Sequence, residues 1–501
     1  MIYNWTRRQL LTRAGTGAAA AAAAGAAGWK LSRRRTDSAG TERYDSKDVQ
    51  HFVSRPDLHP PKVTLLHVEA GHELKYLFLG LAASGPGQGG SMITDTMGDM
   101  IWFSPDAAGK SKMDFDCQIY QGKPVLTWFQ GRVVSGGHGE GIGLIADSSY
   151  RQIATVRAHD GLEVDLHEFV ITAKGTALVS AFRTLRHDFS AMGGPKDGWL
   201  LSGVAQEIDI ATGELLFSWD SLDHVGLDES CLPFNGGHRS RPYDYFHINT
   251  IAEYDDEHLL IGARNTWCVY KVRRTDGQIV WRLNGKKSDF TMAPGSRFYW
   301  QHDTRPHGPN LMTVFDDGFD GKEKDEKESR ALILDVDTDA MLVTLKRQFT
   351  HPGALVLAKA MGNVQLLPGG GVFVGWGTNL FFSEFSADGK LLLDGILAKG
   401  APTYRSFIGD WDGHPTELPA VAVRRRNRGV AVYASWNGAT AVASWTVLAG
   451  KTAASMTPVG SAPRAGFETT IEVTGSGPYF AAQPHDAAGR ILSRSSTVRL
   501  T

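Results

Sequence analysis

Residues 207–219, E-I-D-I-A-T-G-E-L-L-F-S-W, alternate apolar and polar side chains on both sides of a Thr-Gly pair. Such alternation predicts strands, and the Thr-Gly pair supplies the positive φ that a tight hairpin turn requires. The same unit returns as V-Y-K-V-R-R-T-D-G-Q-I-V-W at 269–281, and in weaker form at 332–343 and 382–393. Helical periodicity is scarce between these hairpins. The repeat therefore predicts an all-β chain.

Three histidines recur at one phase of this repeat. They are His167 in D-L-H-E-F-V-I, His247 in Y-F-H-I-N-T-I and His302 in W-Q-H-D-T-R-P, and an apolar strand follows each of them. Their spacing fits a period of roughly 50–60 residues, close to one four-stranded propeller blade, so about six blades fill the repetitive region. The sequence therefore predicts a six-bladed β-propeller over residues 61–417, with the three imidazoles meeting at its central channel.

The two ends of the chain differ from the repeat. Residues 418–501 hold short alternating strands between Gly, Pro and Asn, the last running from Ile491 to Leu500, which predicts a small C-terminal β-sandwich of fibronectin or immunoglobulin type. Paired arginines at positions 7 and 8 precede an Ala/Gly-rich stretch, so residues 1–30 predict a twin-arginine export signal. The twin-arginine export machinery is then a partner, and the protein is secreted, periplasmic or on the cell surface. Residues 31–60 are predicted to be a linker.

Composition narrows the class of partner. The formal charge is −2 over 501 residues, which gives no reason to expect a nucleic-acid or membrane-surface partner. Export permits disulfides, but Cys117, Cys231 and Cys268 leave at least one thiol unpaired, and a Cys117–Cys231 bridge stays open. We expect cysteine chemistry to be a minor feature of this chain.

Arginines follow two of the histidines at a similar distance. Arg264 ends the run L-L-I-G-A-R after His247, and Arg183 ends L-V-S-A-F-R after His167. A guanidinium matches the oxygens of sulfate, phosphate or carboxylate, and a neutral imidazole is a good nucleophile or general base. Asp303 and Asp316 are candidates to orient an imidazole. The set predicts a site that moves an oxyanionic group through a covalent histidine intermediate.

Several short motifs in this order resemble the bacterial arylsulfotransferase family, whose members transfer a sulfuryl group between phenols without an adenylyl-sulfate donor. They are H-I-N-T-I at 247–251 with an arginine downstream, Q-H-D at 301–303, and G-N-V-Q at 362–365 followed by G-W-G at 375–377. The resemblance covers roughly residues 65–412. It implies a small-molecule aryl sulfate donor, a phenol acceptor, ping-pong kinetics and no cofactor.

The resemblance also implies a role for each candidate residue. The histidine of Q-H is the nucleophile in that family, which corresponds to His302. His167, His247 and Arg264 would hold the sulfuryl oxygens, and Asn249 fits the H-x-N pattern of a substrate-binding residue.

Two other functions remain open from the residues alone. Three imidazoles can bind zinc with an open coordination position, giving a metal-dependent hydrolase or lyase. Arg264 argues against that arrangement, because a cation beside a dication is costly, and we expect no metal. The other alternative is an exported propeller that binds a ligand without catalysis, since this architecture often serves as a scaffold.

Overall fold

The computed structural model describes residues 48–500, except residues 83, 84, 86, 135, 323, 475 and 476. The predicted export signal, residues 1–30, lies outside the described residues. Within the described part every regular element is a strand or a single 3-10 turn, so the prediction of an all-β chain is confirmed. The 3-10 turns are Ser190–Met192, Ser221–Asp223, Leu227–Glu229, Arg264–Thr266, Pro368–Gly370 and Gly377–Asn379.

Most strands before residue 410 form sheets that we number 1 to 6, and the strands of each are given in their order across the sheet. Sheet 1 contains Thr403–Gly409, Tyr76–Leu81, Gly90–Asp95 and Met100–Pro105. Sheet 2 contains Ser111–Tyr120, Lys123–Val133, Gly139–Ala146 and Gln152–Val156. Sheet 3 contains Phe169–Ile171, Thr176–His187, Gly198–Asp209 and Leu215–Asp220, with Tyr243–Asp244 added in parallel beside Gly198–Asp209.

The other three sheets follow along the chain. Sheet 4 contains Ile248–Glu253, His258–Ala263, Cys268–Arg273 and Ile279–Leu283. Sheet 5 contains His302–Pro306, Leu311–Asp316, Arg330–Asp337, Leu342–Phe349 and Thr291–Met292. Sheet 6 contains Asn363–Leu366, Val372–Gly375, Phe381–Phe385, Leu391–Leu397 and Val63–Val68. The four predicted hairpins are antiparallel pairs in sheets 3 to 6, which confirms them.

Strands from opposite ends of this region share sheets. Thr403–Gly409 pairs with Tyr76–Leu81 in sheet 1, and Val63–Val68 pairs with Leu391–Leu397 at the edge of sheet 6. Both pairings join segments that are far apart in the sequence. The start and the end of the region are therefore held together in sheets 1 and 6. The repeat pattern does not indicate which strand from one end of the region joins a sheet at the other end.

The first strand of each sheet is linked to the next sheet by a side chain at or beside that strand, and the links return to the start. They are Gln118 to Phe169 O, Ile251 N to Glu168, Asn249 to Gln301 O, Val364 N to Asp303, Asn363 to Ser406 O, and Arg405 to Asp114. These six links join sheets 2–3, 3–4, 4–5, 5–6, 6–1 and 1–2. The links therefore form a series that runs through all six sheets and returns to its start.

The C-terminal region holds two more antiparallel sheets. One contains Ala420–Arg425, Val430–Ser435 and Glu468–Val473, and the other Thr457–Pro463, Ser444–Gly450, Tyr479–His485 and Val498–Arg499. Apolar side chains from both, such as Val432, Val447 and Phe480, form one buried cluster. The prediction of a last strand from Ile491 to Leu500 is mostly wrong, because only Val498–Arg499 within it pairs as a strand.

The N-terminal described segment and the C-terminal region contact each other. Ser54 donates its hydroxyl to Glu468 at 2.5 Å, and the rings of Phe52 and Phe467 lie 4.4 Å apart. Phe52 and Ser54 of the predicted linker are therefore packed on the C-terminal region. Asn437 also hydrogen-bonds the backbone of Phe103 in sheet 1, which fixes the C-terminal region on the sheets before it.

Candidate active site

The three predicted histidines stand at the start of the first strands of sheets 3, 4 and 5, and the structure brings them together. His167 and His247 have ring centroids 4.9 Å apart. The Tyr404 ring lies between His167 and His302, with its centroid 5.3 Å from the first ring and 6.2 Å from the second. Only 3%, 8% and 1% of His167, His247 and His302 are exposed. The common phase in the sequence thus corresponds to a common, buried location.

The backbone is irregular at His247 and just after His302. His247 and Asp303 adopt φ values of 56° and 50°, in the left-handed region that few non-glycine residues enter. Strand pairing shifts register at the same places, between Ile248 and Thr250 and between His302 and Arg305. Bulges of this kind turn a side chain away from its regular direction and are frequent at active sites.

Each imidazole holds a carboxylate through its Nδ1 atom. The Nδ1–Oδ2 distances are 2.6 Å for His167–Asp165, 2.5 Å for His247–Asp244 and 2.7 Å for His302–Asp317. A carboxylate at Nδ1 fixes the ring orientation and leaves Nε2 for chemistry. Sequence reasoning missed all three aspartates.

The aspartates proposed from the sequence have other partners. Asp303 pairs with Arg305 at 2.8 Å and accepts the Val364 amide, and Asp316 pairs with Arg330 at 2.6 Å. Neither orients an imidazole. Asp165 and Asp244 stand two and three residues before their histidines, a spacing that could have been noticed, whereas Asp317 is brought to His302 by the hairpin of sheet 5.

Both ring nitrogens of His302 have a hydrogen-bond partner, and these partners fix which nitrogen carries the proton. The Met361 amide donates to its Nε2 at 3.2 Å, so Nε2 carries the lone pair and the Nδ1 proton is donated to Asp317. Burial lowers the pKa of His302 well below its usual value, and the charge of Arg264 lowers it further. Burial likewise lowers the pKa of His247, against the opposing effect of Asp244. His302 is therefore a neutral imidazole at pH 7.

Arg264 supplies the cation of the site. It begins a 3-10 turn after the strand His258–Ala263, and its guanidinium lies 4.9 Å from the centroid of the Trp300 ring. One terminal nitrogen, Nη2, donates to the carbonyl of Lys359 at 2.8 Å, while the buried Nε has no hydrogen-bond partner. A buried donor without a partner is available to an oxyanion.

Asn249 and Arg183, which the sequence also suggested for the site, are bound to groups outside the histidine cluster. Asn249 is fully buried, and its amide donates to the Gln301 carbonyl at 2.7 Å, between sheets 4 and 5. Arg183 forms an ion pair with Asp220 at 3.2 Å and is 42% exposed. The residue before it, Phe182, contacts the cluster instead, with its ring 6.0 Å from His167 and 5.7 Å from His247.

A network of buried charges lies one layer along the axis from the imidazoles. Arg405 contacts Asp114, Glu168 and Asp303, and Arg305 contacts Glu168 and Asp303. Asp114, Glu168 and both arginines also line a cavity of about 230 Å³. Sheets 1, 2, 3 and 5 thus contribute the charged side chains of this network.

Other chemistries find less support in the geometry. Across residues 48–500, apart from the seven positions excluded above, no three His, Cys, Asp or Glu side chains are placed to hold one metal ion. All three cysteines are free thiols, so Cys117 and Cys231 form no bridge. In the same described residues no helix is long and apolar enough to span a membrane.

A family model described as arylsulfotransferase (ASST) matches residues 116–398, more than half of the chain. The chain belongs to the arylsulfotransferase family. Membership implies a sulfotransferase acting on small-molecule aryl sulfates and phenols. The match includes His167, His247, Arg264 and His302, whereas Tyr404 and Arg405 lie beyond its end.

Comparison with solved structures adds only distant likenesses. A protein of unknown function from Bacteroides caccae is 12% identical, with a TM-score of 0.40, over 67% of this chain and 99% of that one. An inactive virginiamycin B lyase from Staphylococcus aureus with quinupristin is 9% identical, with a TM-score of 0.31, over 86% of this chain and 100% of that one. No curated protein matches the arylsulfotransferase chain significantly.

Proposed function

We propose that this arylsulfotransferase moves a sulfuryl group from an aryl sulfate ester to a phenol through a sulfohistidine on His302. The observation that carries the proposal is the pair of bonds on the His302 ring, since Asp317 holds Nδ1 and the Met361 amide marks the lone pair on Nε2. A buried neutral imidazole oriented in this way is suited to nucleophilic attack.

The reaction then has two balanced halves. His302 Nε2 attacks the sulfur of the donor, an N–S bond forms, and the aryl O–S bond breaks with its electron pair leaving on the phenolate. Asp317 stabilises the positive charge that develops on the ring. In the second half the acceptor phenol oxygen attacks the same sulfur and the N–S bond breaks. His167 or His247 takes the proton of the acceptor phenol and returns it to the phenolate leaving in the next cycle, a role worth roughly 10²–10⁴ in rate.

Arg264, His167 and His247 are the groups that we assign to the sulfuryl oxygens. The unpartnered Nε of Arg264 is a donor in a buried site, where hydrogen bonds to a developing charge are strong. His167 or His247 donates from Nε2 to a sulfuryl oxygen while it carries the phenol proton. Each well-placed donor of this kind stabilises the transition state by about 3 kcal/mol. Asn249 is proposed to support the site from behind, through the backbone that precedes His302.

We further propose that the six sheets are the blades of a six-bladed β-propeller over residues 61–417. The cyclic series of links between sheets supports this arrangement. The apolar cluster shared by the two C-terminal sheets supports a small β-sandwich over residues 418–501. The paired arginines support export by the twin-arginine route, with residues 1–30 as the signal.

Exposure to 4-nitrophenyl sulfate with a phenol acceptor tests the function. We expect release of nitrophenol, ping-pong kinetics, and one added sulfuryl group on the peptide containing His302 when the acceptor is left out. His302→Asn should abolish the label, while His414→Asn, a change at an exposed histidine, should retain it. An unlabelled wild-type protein that still binds the aryl sulfate would instead indicate a binding protein.

A further inference from the structure

A three-residue segment lies against both the nucleophile and the arginine of the site. This segment, Lys359–Met361, is called the strap below. Its first carbonyl accepts from Arg264 Nη2 at 2.8 Å, and its last amide donates to His302 Nε2 at 3.2 Å. The proposed reaction needs the lone pair of His302 Nε2 free, because a lone pair that accepts a hydrogen bond cannot attack sulfur at the same time.

The strap is held firmly at its ends and weakly between them. On one side the Ala358 amide donates to Ser329 Oγ at 2.7 Å, and on the other the Gly362 amide donates to the Tyr404 carbonyl at 2.9 Å. Between these anchors the two hydrogen bonds with Thr378 are both 3.3 Å long, near the limit for such bonds.

Backbone strain points to the same segment. Met361 has a φ of 72°, a left-handed backbone conformation that is strained for a non-glycine residue. Such strain persists only where surrounding contacts impose it. The contacts of the strap with Arg264 and His302 are the kind that an incoming ligand can replace.

We propose that the strap is a gate that a sulfuryl-bearing anion opens by taking Arg264 from the Lys359 carbonyl. A charged oxygen forms a stronger hydrogen bond to a guanidinium than a neutral carbonyl does, and its negative charge repels that carbonyl. Withdrawal of the strap then removes the Met361 amide from Nε2. A neutral phenol has no such advantage at Arg264, so the gate admits the donor before the acceptor. The link to donor chemistry rests on the proposed function, whereas the opening itself does not.

Thr378 offers a matched pair of variants, since its hydroxyl accepts the Lys359 amide. Thr378→Val removes that bond and Thr378→Ser retains it. Diethyl pyrocarbonate, which modifies neutral imidazoles, measures access to His302 when the modified peptide is followed by mass spectrometry. Loss of one hydrogen bond should raise the rate of His302 modification about two- to tenfold in Thr378→Val and leave Thr378→Ser like the wild type.

Amide hydrogen exchange of the wild-type protein provides a second measurement that needs no variant. Inorganic sulfate should speed exchange at Met361 and leave Gly362 unchanged, because only the former is released. Equal modification rates in both Thr378 variants, or an exchange rate at Met361 that sulfate does not alter, would overturn the gate. If both measurements respond but 4-nitrophenyl sulfate never labels His302, the gate stands and the sulfuryl-transfer proposal fails.

Discussion

Three imidazoles with three separate carboxylates distinguish this site from a cluster of histidines alone. Because Asp165, Asp244 and Asp317 each hold an Nδ1 atom, Nε2 is the nitrogen of each ring left for other partners, and at His302 the Met361 amide is that partner. Burial acts to raise the pKa of Asp165, but the interactions with His167 outweigh it and lower that pKa to about 2. The Asp165 carboxylate beside His167 is therefore held in its charged form.

Asp317→Asn tests the pairing at the nucleophile. The substitution keeps the size of the side chain but replaces the carboxyl group that stabilises the positive charge developing on the ring with a neutral amide, so kcat should fall roughly 10²–10⁴-fold. The neighbouring Asp316→Asn is the control, since Asp316 pairs with Arg330 and not with an imidazole. It should lower the melting temperature and leave kcat close to the wild type. Equal loss of kcat in both variants would mean that Asp317 acts only through the local fold.

The sequence was sufficient for some of these residues and not for others. The phase of the repeat predicted that His167, His247 and His302 would meet, because equivalent positions of a repeat occupy equivalent places. It could not predict Tyr404, which belongs to a strand returned from the end of the region to sheet 1. Nor could it predict the Met361 amide, because every residue type carries the same backbone donor.

At the scale of elements, buried amide side chains join neighbouring first strands. Asn249 and Asn363 each donate to a backbone carbonyl of the next sheet at 2.7 Å. Hairpins are local and their Thr-Gly and Asp-Gly turns are readable, which explains why the paired strands of sheets 3 to 6 could be predicted. Contacts between sheets are non-local and leave no periodic signal, so these links appear only in the structure.

Asn249→Ala compared with Asn363→Ala distinguishes a link from a substrate contact. Each change leaves a buried carbonyl without its donor, and each should lower the free energy of unfolding by about 1–3 kcal/mol in urea titrations. Asn249→Ala should also lower kcat, because Gln301 precedes His302, while KM for the aryl sulfate stays unchanged. A raised KM with an unchanged kcat would instead assign Asn249 to substrate binding.

At the scale of the whole molecule, one arginine connects residues from both ends of the region that holds the six sheets. Arg405 lies on Thr403–Gly409, the last strand of this region in the sequence, and is 1% exposed. It contacts Asp114 of sheet 2 at 3.1 Å, Glu168 beside sheet 3 at 2.9 Å, and the Asn249 carbonyl of sheet 4 at 3.1 Å. It also lies 3.4 Å from Asp303 of sheet 5, so this single side chain contacts residues of four other sheets.

Arg405→Gln should therefore cost stability in a pH-dependent way. Burial raises the pKa of Asp114 to about 7 even with Arg405 opposing the shift, and loss of the arginine raises that pKa further. The folded variant then binds more protons than the unfolded chain, so its stability increases as pH falls. We expect a loss of about 3–5 kcal/mol at pH 8, from the uncompensated buried charge, and a smaller loss near pH 5.5. Urea unfolding followed by tryptophan fluorescence measures the loss at both pH values.

Arg347→Gln is the matched control, since the Arg347 guanidinium donates to the carbonyls of Gly370 and Ala387, and the effect of this substitution should not change with pH. A deficit in Arg405→Gln that is equal at both pH values would show that packing, and not charge, closes the ring.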